Sequence, residues 1–366
     1  MQLRKMIISG GGTGGHIFPA IAIANAVKEK IKNIDILFVG AEGRMEMEKV
    51  PAAGYKIIGL KISGFQRSLS LKNLLFPFKV IASLIHAKKI IKNFKPDVVV
   101  GVGGYASGPT LRAAMAKGIP TLIQEQNCFP GITNKILSKK VNKICVAYQG
   151  LEKWFPKEKI ILTGNPVRQE IIHIVGKKEA AAEFFNLDPG LSVLLIIGGS
   201  LGARTINECI AQGIPEFEKQ KIQVIWQTGK TYFKTAEALL QQHGYKSIRV
   251  FDFIYKMDLA YAIADLVVSR AGAISVSELC LVKKPCILIP SPNVAEDHQT
   301  KNAMALVHNN AAILVTDIEA KEKLTAQIID TIRDNNKLEK LSSNIAKMGI
   351  LNSAENIADE IIRLVN

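Results

Sequence analysis

The chain has 366 residues, is 48% hydrophobic and carries a formal charge of +15. That supplies apolar material for two domains of ordinary size and excludes a disordered or fibrous polypeptide. Its five cysteines (128, 145, 209, 280 and 286) form no CxxC pair, which excludes a disulfide framework and a zinc site and points to a reducing compartment.

Short β-branched runs alternate with helix-length segments along the whole chain. The first half predicts strands at Met6–Ser9, Asp35–Val39, Lys56–Leu60, Asp97–Val100, Thr121–Gln124, Lys143–Ala147 and Ile160–Leu162. The second half predicts strands at Ser192–Ile197, Gln223–Gln227, Ile248–Phe251, Leu266–Ser269, Cys286–Ile289 and Ala312–Leu314. Strands spaced in this way pair in parallel through right-handed crossovers, as in Rossmann-like domains. Each half opens with an apolar strand, a Gly-Gly turn and a helix, the first helix being read from Pro19 through Ile21–Val27. The expected fold class is therefore α/β, two doubly wound parallel-sheet domains in tandem. The expected division is 1–164 and 165–366, with the link near Gly164-Asn165-Pro166. Ligands of such sheets bind beyond the carboxyl ends of the strands, so the cleft faced by the two domains is the expected site.

The loops at those strand ends carry the chemistry. Gly10 to Gly15 place five glycines around Thr13, a turn whose backbone N–H groups and following helix can close on a phosphate. A second glycine loop is Gly101-Val-Gly-Gly-Tyr-Ala-Ser-Gly108, and a third is Gly198-Gly-Ser-Leu-Gly202. One such loop is weak evidence, and tight turns without ligands are the plain alternative; three at strand ends make that alternative a poor account. His16 follows the first loop and is read as a general base, with simple phosphate binding as the alternative; Glu125 or a water chain stands next in line. Ser269-Arg-Ala-Gly-Ala-Ile-Ser-Val-Ser-Glu278 opens a helix with small residues that expose its amides. Glu278 there either accepts two ribose hydroxyls or merely stabilises the helix dipole. Amides at Asn127, Gln299 and Asn302 suit sugar hydroxyls, or else hold turns and caps.

The positive charge is confined to one half. Residues 1–165 hold 25 Lys and Arg against 9 Asp and Glu, whereas residues 166–366 hold 22 against 23. A basic half suits nucleic acid, an anionic membrane or a polyphosphate substrate. Residues 65–91 set Leu71, Leu74, Leu75, Phe76, Phe78, Ile81 and Ile85 among lysines, with Pro77 expected to interrupt the helix. This reads as a membrane-surface segment centred on Leu74, Leu75, Phe76 and Phe78, or as a helix with its stripe on the core. No apolar run is long enough to span a bilayer and no leader-like segment precedes the first strand, so a cytoplasmic protein is expected.

The motifs together resemble the MurG family of bacterial glycosyltransferases, nearly end to end. The resemblance is carried by residues 11–16 (GGTGGH), 44–54, 95–109, 118–127 (ending EQN), 131–135 (GITNK), 164–168 (GNPVR), 198–204 (GGSLGAR), 269–278 and 297–302 (DHQTKN). It implies a GT-B fold and inverting transfer of N-acetylglucosamine from UDP-N-acetylglucosamine to the C4 hydroxyl of a lipid-linked muramyl-pentapeptide. It implies no cofactor and no essential metal. The N-terminal domain would bind acceptor and membrane, the C-terminal domain would bind the UDP-sugar, and the C-terminal helix is a candidate to pack back on the N-terminal domain. By matching positions, Arg168, Ser200 and the turn Ala273, Ile274, Ser275, Val276 and Ser277 would serve the nucleotide and its diphosphate. Glu278 would hold the ribose, the Ile254 backbone the uracil, and Gln299 and Asn302 the sugar. Thr13, Gly14, Gly15, His16 and Asn127 would close on the donor, with His16 catalytic. Gly103, Gly104 and Tyr105 would meet the acceptor diphosphate. The location implied is peripheral, on the cytoplasmic face of the plasma membrane, with other cell-wall synthesis proteins as candidate partners. Two departures stand out: Gln124 replaces the His of some relatives, and Tyr255-Lys256 replace an acidic pair.

Three other classes compete. A Rossmann oxidoreductase would need an acid at the end of the second strand, but Asp35 begins that strand. A UDP-sugar epimerase would leave the 65–91 segment without a purpose. A nucleic-acid binder would suit the charge, but the chain is only 6% aromatic and holds no known DNA or RNA module.

Overall fold

The computed structural model describes residues 3–62 and 76–365. The chain forms two compact units: Met1–Val167 together with Leu351–Asn366, and Arg168–Ile350.

The first unit is built on β1 (Lys5–Ser9), α1 (Gly14–Lys30), β2 (Asp35–Ala41), α2 (Glu46–Ala52), β3 (Lys56–Leu60), α3 (Phe76–Phe94), β4 (Val98–Gly101), α4 (Ser107–Met115), β5 (Thr121–Glu125), α5 (Ile132–Ser138), β6 (Lys143–Val146) and β7 (Ile160–Leu162). Its seven strands run in the order β3-β2-β1-β4-β5-β6-β7, all parallel. The central strands are apolar throughout because both faces are covered. Val98, Val99 and Val100 have no exposed surface. One face packs on α1, with Ile17, Ile23 and Val27 in that core. The other packs on α3, α4 and α5 through Ile90, Ile91, Leu111 and Leu137.

The second unit comprises α6 (Lys178–Phe185), β8 (Val193–Ile197), α7 (Arg204–Lys219), β9 (Gln223–Gln227), α8 (Lys230–His243), β10 (Ile248–Phe251), α9 (Met257–Ile263), β11 (Leu266–Ser269), α10 (Ala273–Val282), β12 (Cys286–Leu288), α11 (His298–Val307), β13 (Ile313–Leu314), α12 (Ala320–Arg333) and α13 (Asn335–Ala346). Its strand order is β10-β9-β8-β11-β12-β13, again all parallel. The last helix, α14 (Ser353–Arg363), belongs to the first unit. Ala354, Ile357, Ala358 and Ile361 form one stripe of α14 and join the core beneath α1, while Lys30 pairs with Asp359 at 2.7 Å.

Both sheets reverse their winding once, between β1 and β4 and between β8 and β11. Ser9 lies beside Gly101 in the first sheet and Ser269 beside Ile197 in the second. The loops leaving these strand ends flank the reversal point, where doubly wound sheets bind ligands.

One helix start differs from expectation. α1 begins at Gly14 with Pro19 inside it, so Gly14, Gly15 and His16 form its first turn. Pro19 lies close enough to the N-terminus for its missing N–H to cost little. Within the described residues α3 runs from Phe76 with Pro77 near its start; the part of the 65–91 stretch before Phe76 lies outside the described residues. Among the described residues no helix is long and apolar enough to cross a membrane.

Candidate active site

In the first unit the loops after β1 and β4 meet backbone to backbone. A Cβ on Gly104 would lie 2.4 Å from the Gly11 carbonyl oxygen, and one on Gly103 would lie 2.7 Å from the His16 ring. Only glycine admits such an approach, and Gly103 and Gly104 both have positive φ (91° and 83°). His16 is thus seated over the second glycine loop, half-buried, with its Nε2 edge against Gly103. Its Nδ1 lies 3.2 Å from the Thr13 hydroxyl. Thr13 is the residue before α1 and makes no side-chain bond to the helix amides, so the amides of Gly14 and Gly15 open the helix without a side-chain cap. Tyr105, on the same loop as Gly103, is half exposed.

The first loop is held from beneath by Glu46, which the sequence reading passed over. Glu46 is 1% exposed, and its carboxylate accepts from the amides of Gly12 (2.9 Å) and Ala41 (3.0 Å).

Glu125 ends β5 and is buried. Its carboxylate accepts from the Asn127 amide (3.1 Å), the Asn127 side chain (3.3 Å), the Gly131 amide (3.2 Å) and the Asn134 side chain (2.9 Å). Burial raises its pKa, opposed by those four N–H donors. Both oxygens are engaged, so Glu125 orients Asn127 and the start of α5 and is poorly placed to take a substrate proton. Beside it, Gln124 donates to Asn165 (3.0 Å), and Asn165 donates to the Gln126 carbonyl (2.9 Å). Gln124 therefore fastens the Gly164-Asn165-Pro166 segment to the end of β5.

In the second unit Arg168 and Glu278 come together. Arg168 donates from Nε (3.1 Å) and Nη2 (3.0 Å) to Oε1 and from Nη2 (3.3 Å) to Oε2, while the Tyr261 hydroxyl donates to Oε2 at 3.1 Å. Burial raises the Glu278 pKa and Arg168 pulls it back; burial and the neighbouring carboxylate push the Tyr261 hydroxyl far up. Tyr261 is a partner that spacing alone did not reveal.

α10 starts after Gly272, and its first ladder bond runs from the Val276 amide to the Gly272 carbonyl (2.9 Å). The amides of Ala273, Ile274 and Ser275 precede that bond and can face an anion; Val276 is fully buried and acts as core. Ser277 lies further along the helix, half-buried. Ser200 is exposed on the loop after β8.

Ile254 is buried, and its N–H donates to Gln227 Oε1 at 2.9 Å. Gln299 Oε1 accepts from the Ser291 amide (2.9 Å). Asn302 is fully buried and donates to the Ala271 carbonyl (3.2 Å), bracing the loop before α10. The same loop is held by Arg270, which binds Asp317 (2.5 Å) and the carbonyls of Ile289 and Pro290 (3.1 and 3.0 Å).

Leu74 and Leu75 lie outside the described residues, as do the side chains of Phe76 and Phe78. Further along α3, Ile81 and Ile85 are 56% and 64% exposed on one face. Lys88, Lys89 and Lys92 of α3 line a surface depression of about 410 Å³ with Ala113, Ala116 and Lys117.

Two doubly wound domains in one chain, each with small-residue loops gathered at its switch point, constitute the GT-B architecture. Residues 6–146 match the Glycosyltransferase family 28 N-terminal domain, and residues 193–361 the Glycosyltransferase family 28 C-terminal domain. The chain is 53% identical over 366 residues to the UDP-N-acetylglucosamine–N-acetylmuramyl-(pentapeptide) pyrophosphoryl-undecaprenol N-acetylglucosamine transferase of Parabacteroides distasonis, covering 100% of each chain. It is 56% identical over 363 residues to the transferase of the same name from Phocaeicola vulgatus, covering 99% of this chain and 96% of that one. The crystal structure of Acinetobacter baumannii MurG superposes with a TM-score of 0.80 at 27% identity, over 98% of this chain and 99% of that one. A UDP-N-acetylglucosamine 2-epimerase from Neisseria meningitidis reaches a TM-score of 0.67 at 14% identity, over 99% and 100% of the two chains, a likeness of fold alone. The chain belongs to the MurG family of glycosyltransferases.

Proposed function

We propose that this protein transfers N-acetylglucosamine from UDP-N-acetylglucosamine to the C4 hydroxyl of undecaprenyl-pyrophosphoryl-N-acetylmuramyl-pentapeptide, with inversion at the anomeric carbon. The observation that carries the reading is end-to-end identity above one half with transferases named for this reaction. That activity lies in peptidoglycan synthesis, and through it in cell-wall biogenesis, cell shape and division.

The residues divide by unit. In the first, His16 is the base. In the tautomer whose Nδ1 donates to the Thr13 hydroxyl, Nε2 carries no proton and can accept one from the attacking hydroxyl. The hydroxyl oxygen bonds to the anomeric carbon as the bond from that carbon to the UDP phosphate oxygen breaks. Thr13, the amides of Gly14 and Gly15, and Asn127 close on the donor, and the loop of Gly103, Gly104 and Tyr105 suits the acceptor's diphosphate.

In the second unit the leaving diphosphate is met by the first amides of α10, which are fixed before the charge develops, by Ser200 and by Arg168 once it has turned. Glu278 accepts from the ribose hydroxyls, which requires Arg168 to turn from Glu278 towards the diphosphate. The Ile254 carbonyl accepts from uracil and Gln299 recognises the sugar, whereas Asn302, expected to do the same, is fully buried and instead braces the loop before α10. No step calls for a metal or a cofactor.

The protein works from the cytoplasmic face of the plasma membrane as a peripheral protein, near other cell-wall enzymes. Exposed Ile81 and Ile85, the lysines of α3 and Lys117 in the turn after α4 support that reading. The test is incubation with labelled UDP-N-acetylglucosamine and lipid-linked muramyl-pentapeptide. Lipid-bound label is expected only with acceptor present. Sugar epimerised without acceptor, and no lipid product, would replace the transferase by an epimerase.

A further inference from the structure

Trp226-Gln-Thr-Gly-Lys230 carried none of the motifs discussed above, yet its side chains tie three segments of the second unit together. Trp226 Nε1 donates to Asn207 of α7 (3.0 Å), and Asn207 donates to the Thr228 carbonyl (2.8 Å). The Thr228 amide donates to the Phe251 carbonyl (2.9 Å). A Cβ on Gly202 would lie 1.9 Å from the Thr228 carbonyl oxygen, so this turn is wedged against the loop after β8. At its centre, Gln227 is 2% exposed. Its Nε2 donates to the Gly199 carbonyl at 3.0 Å and its Oε1 accepts from the Ile254 amide at 2.9 Å. One side-chain amide therefore spans the Gly198–Gly202 loop and the backbone at Ile254.

We infer that Gln227 is a positioning residue which sets the spacing between the diphosphate loop and the base-reading backbone, and thereby the nucleobase selectivity of the donor site. The inference rests on the reading of the second unit as the UDP site. Only a side chain that donates and accepts at once makes both bonds. A glutamate keeps the Ile254 bond but turns an oxygen on the Gly199 carbonyl; a leucine makes neither. With its N–H anchored, the Ile254 backbone is fixed and presents its carbonyl in one direction. Uracil offers an N3–H donor to that carbonyl, whereas cytosine offers an N3 acceptor, and two facing acceptors repel. A buried group left without its partner is the strong form of discrimination between near-isosteric ligands. Freed from Gln227, the segment can turn, and the distinction fades.

The experiment measures binding of UDP, CDP and inorganic pyrophosphate to the full chain and to Gln227→Glu and Gln227→Leu. The variants are expected to bind UDP about tenfold more weakly, the scale of one net hydrogen bond. The ratio of UDP to CDP affinity should fall by a similar factor, with pyrophosphate binding little changed. A general loss of structure would weaken all three together and leave the ratio intact. Variants that keep both wild-type pyrophosphate binding and the wild-type ratio of UDP to CDP affinity overturn the inference. Hydrogen exchange in the unliganded wild-type chain gives a readout that needs no variant: the Ile254 amide should be protected, and exchange at the rate of an open loop overturns the clamp. A wild-type chain that fails to bind UDP at all overturns the donor-site reading instead.

Discussion

Replacing Glu278 by Gln keeps the side-chain shape and removes the charge, so it isolates what the carboxylate does. In the unliganded protein both oxygens are occupied, by three contacts from Arg168 and one from Tyr261. A carboxylate has about four lone-pair directions, so a ribose cannot add to this set and must displace Arg168. A hydrogen bond to a charged group is worth about 1.5–3 kcal/mol net. Against this, the wild type gives up the Arg168 pair on binding. The Arg168 side chain is 42% exposed, so solvent screening limits that pair to ~0.5–1 kcal/mol. The difference leaves ~0.5–2.5 kcal/mol, or UDP binding weaker by about two- to seventyfold in the Gln variant. Calorimetric titration with UDP and with uridine measures it. Uridine should lose the same factor, since it keeps the ribose and lacks the diphosphate. Wild-type affinity for both ligands, in a variant with unchanged circular dichroism, would show that Glu278 serves only its helix and Arg168.

Three further outcomes are expected. His16→Ala should lower turnover by roughly 10²-fold or more, the scale of general acid–base help, while UDP affinity changes little; near-normal turnover in a transfer assay removes His16 from the mechanism. Glu125 has a raised pKa, so the folded state holds its proton more tightly than the unfolded state; the stability this contributes is present below the ordinary value of 4.5 and is lost as pH rises through the folded value. Urea unfolding of wild type and Glu125→Gln between pH 4 and about 7 should therefore show the variant gaining relative stability as pH rises, and a flat difference refutes the assignment. Changing Lys88, Lys89 and Lys92 together to Gln should weaken sedimentation with anionic vesicles, each lysine contributing about 1 kcal/mol near such a surface; wild-type sedimentation by the folded variant would place the membrane face elsewhere.

All thirteen strands were legible in the sequence because buried parallel strands are written as apolar runs, as Val98–Val100 and Val193–Ile197 show. The start of α1 was not, because Gly14 and Gly15 are poor helix formers and only the strand before them and the packing of Ile17 and Ile23 draw them into a helix. At the candidate site the loops could be read and their fastenings could not. Glu46 reaches Gly12 across 34 positions, Gln227 reaches Ile254 across 27, and Glu278 meets Arg168 across 110. Local spacing holds no record of such partners. A weak signal existed in Glu46: it opens a short helix at a strand end, where a lone carboxylate commonly faces backbone amides.

The uneven charge takes on a different meaning once the loops are described. The donor diphosphate proposed for the second unit would be met by Arg168 and the amides of α10, in a half of the sequence whose charges nearly cancel. Binding a diphosphate therefore needs oriented donors within hydrogen-bond distance and does not need net charge. The glycine loops of the first unit offer the same kind of donor, so acceptor recognition does not explain the basic excess of residues 1–165 either. Net charge acts over longer distances, up to a screening length of about 8 Å at physiological salt. The lysines that line the depression between α3 and α4 are carried on α3 and, for Lys117, in the turn after α4, and not in the glycine loops. Their placement fits attraction to an extended anionic surface, which many dispersed charges can sense together. The chemistry proposed for the loops and the proposed hold on a membrane surface thus fall on different residues of the first unit and are open to independent disruption.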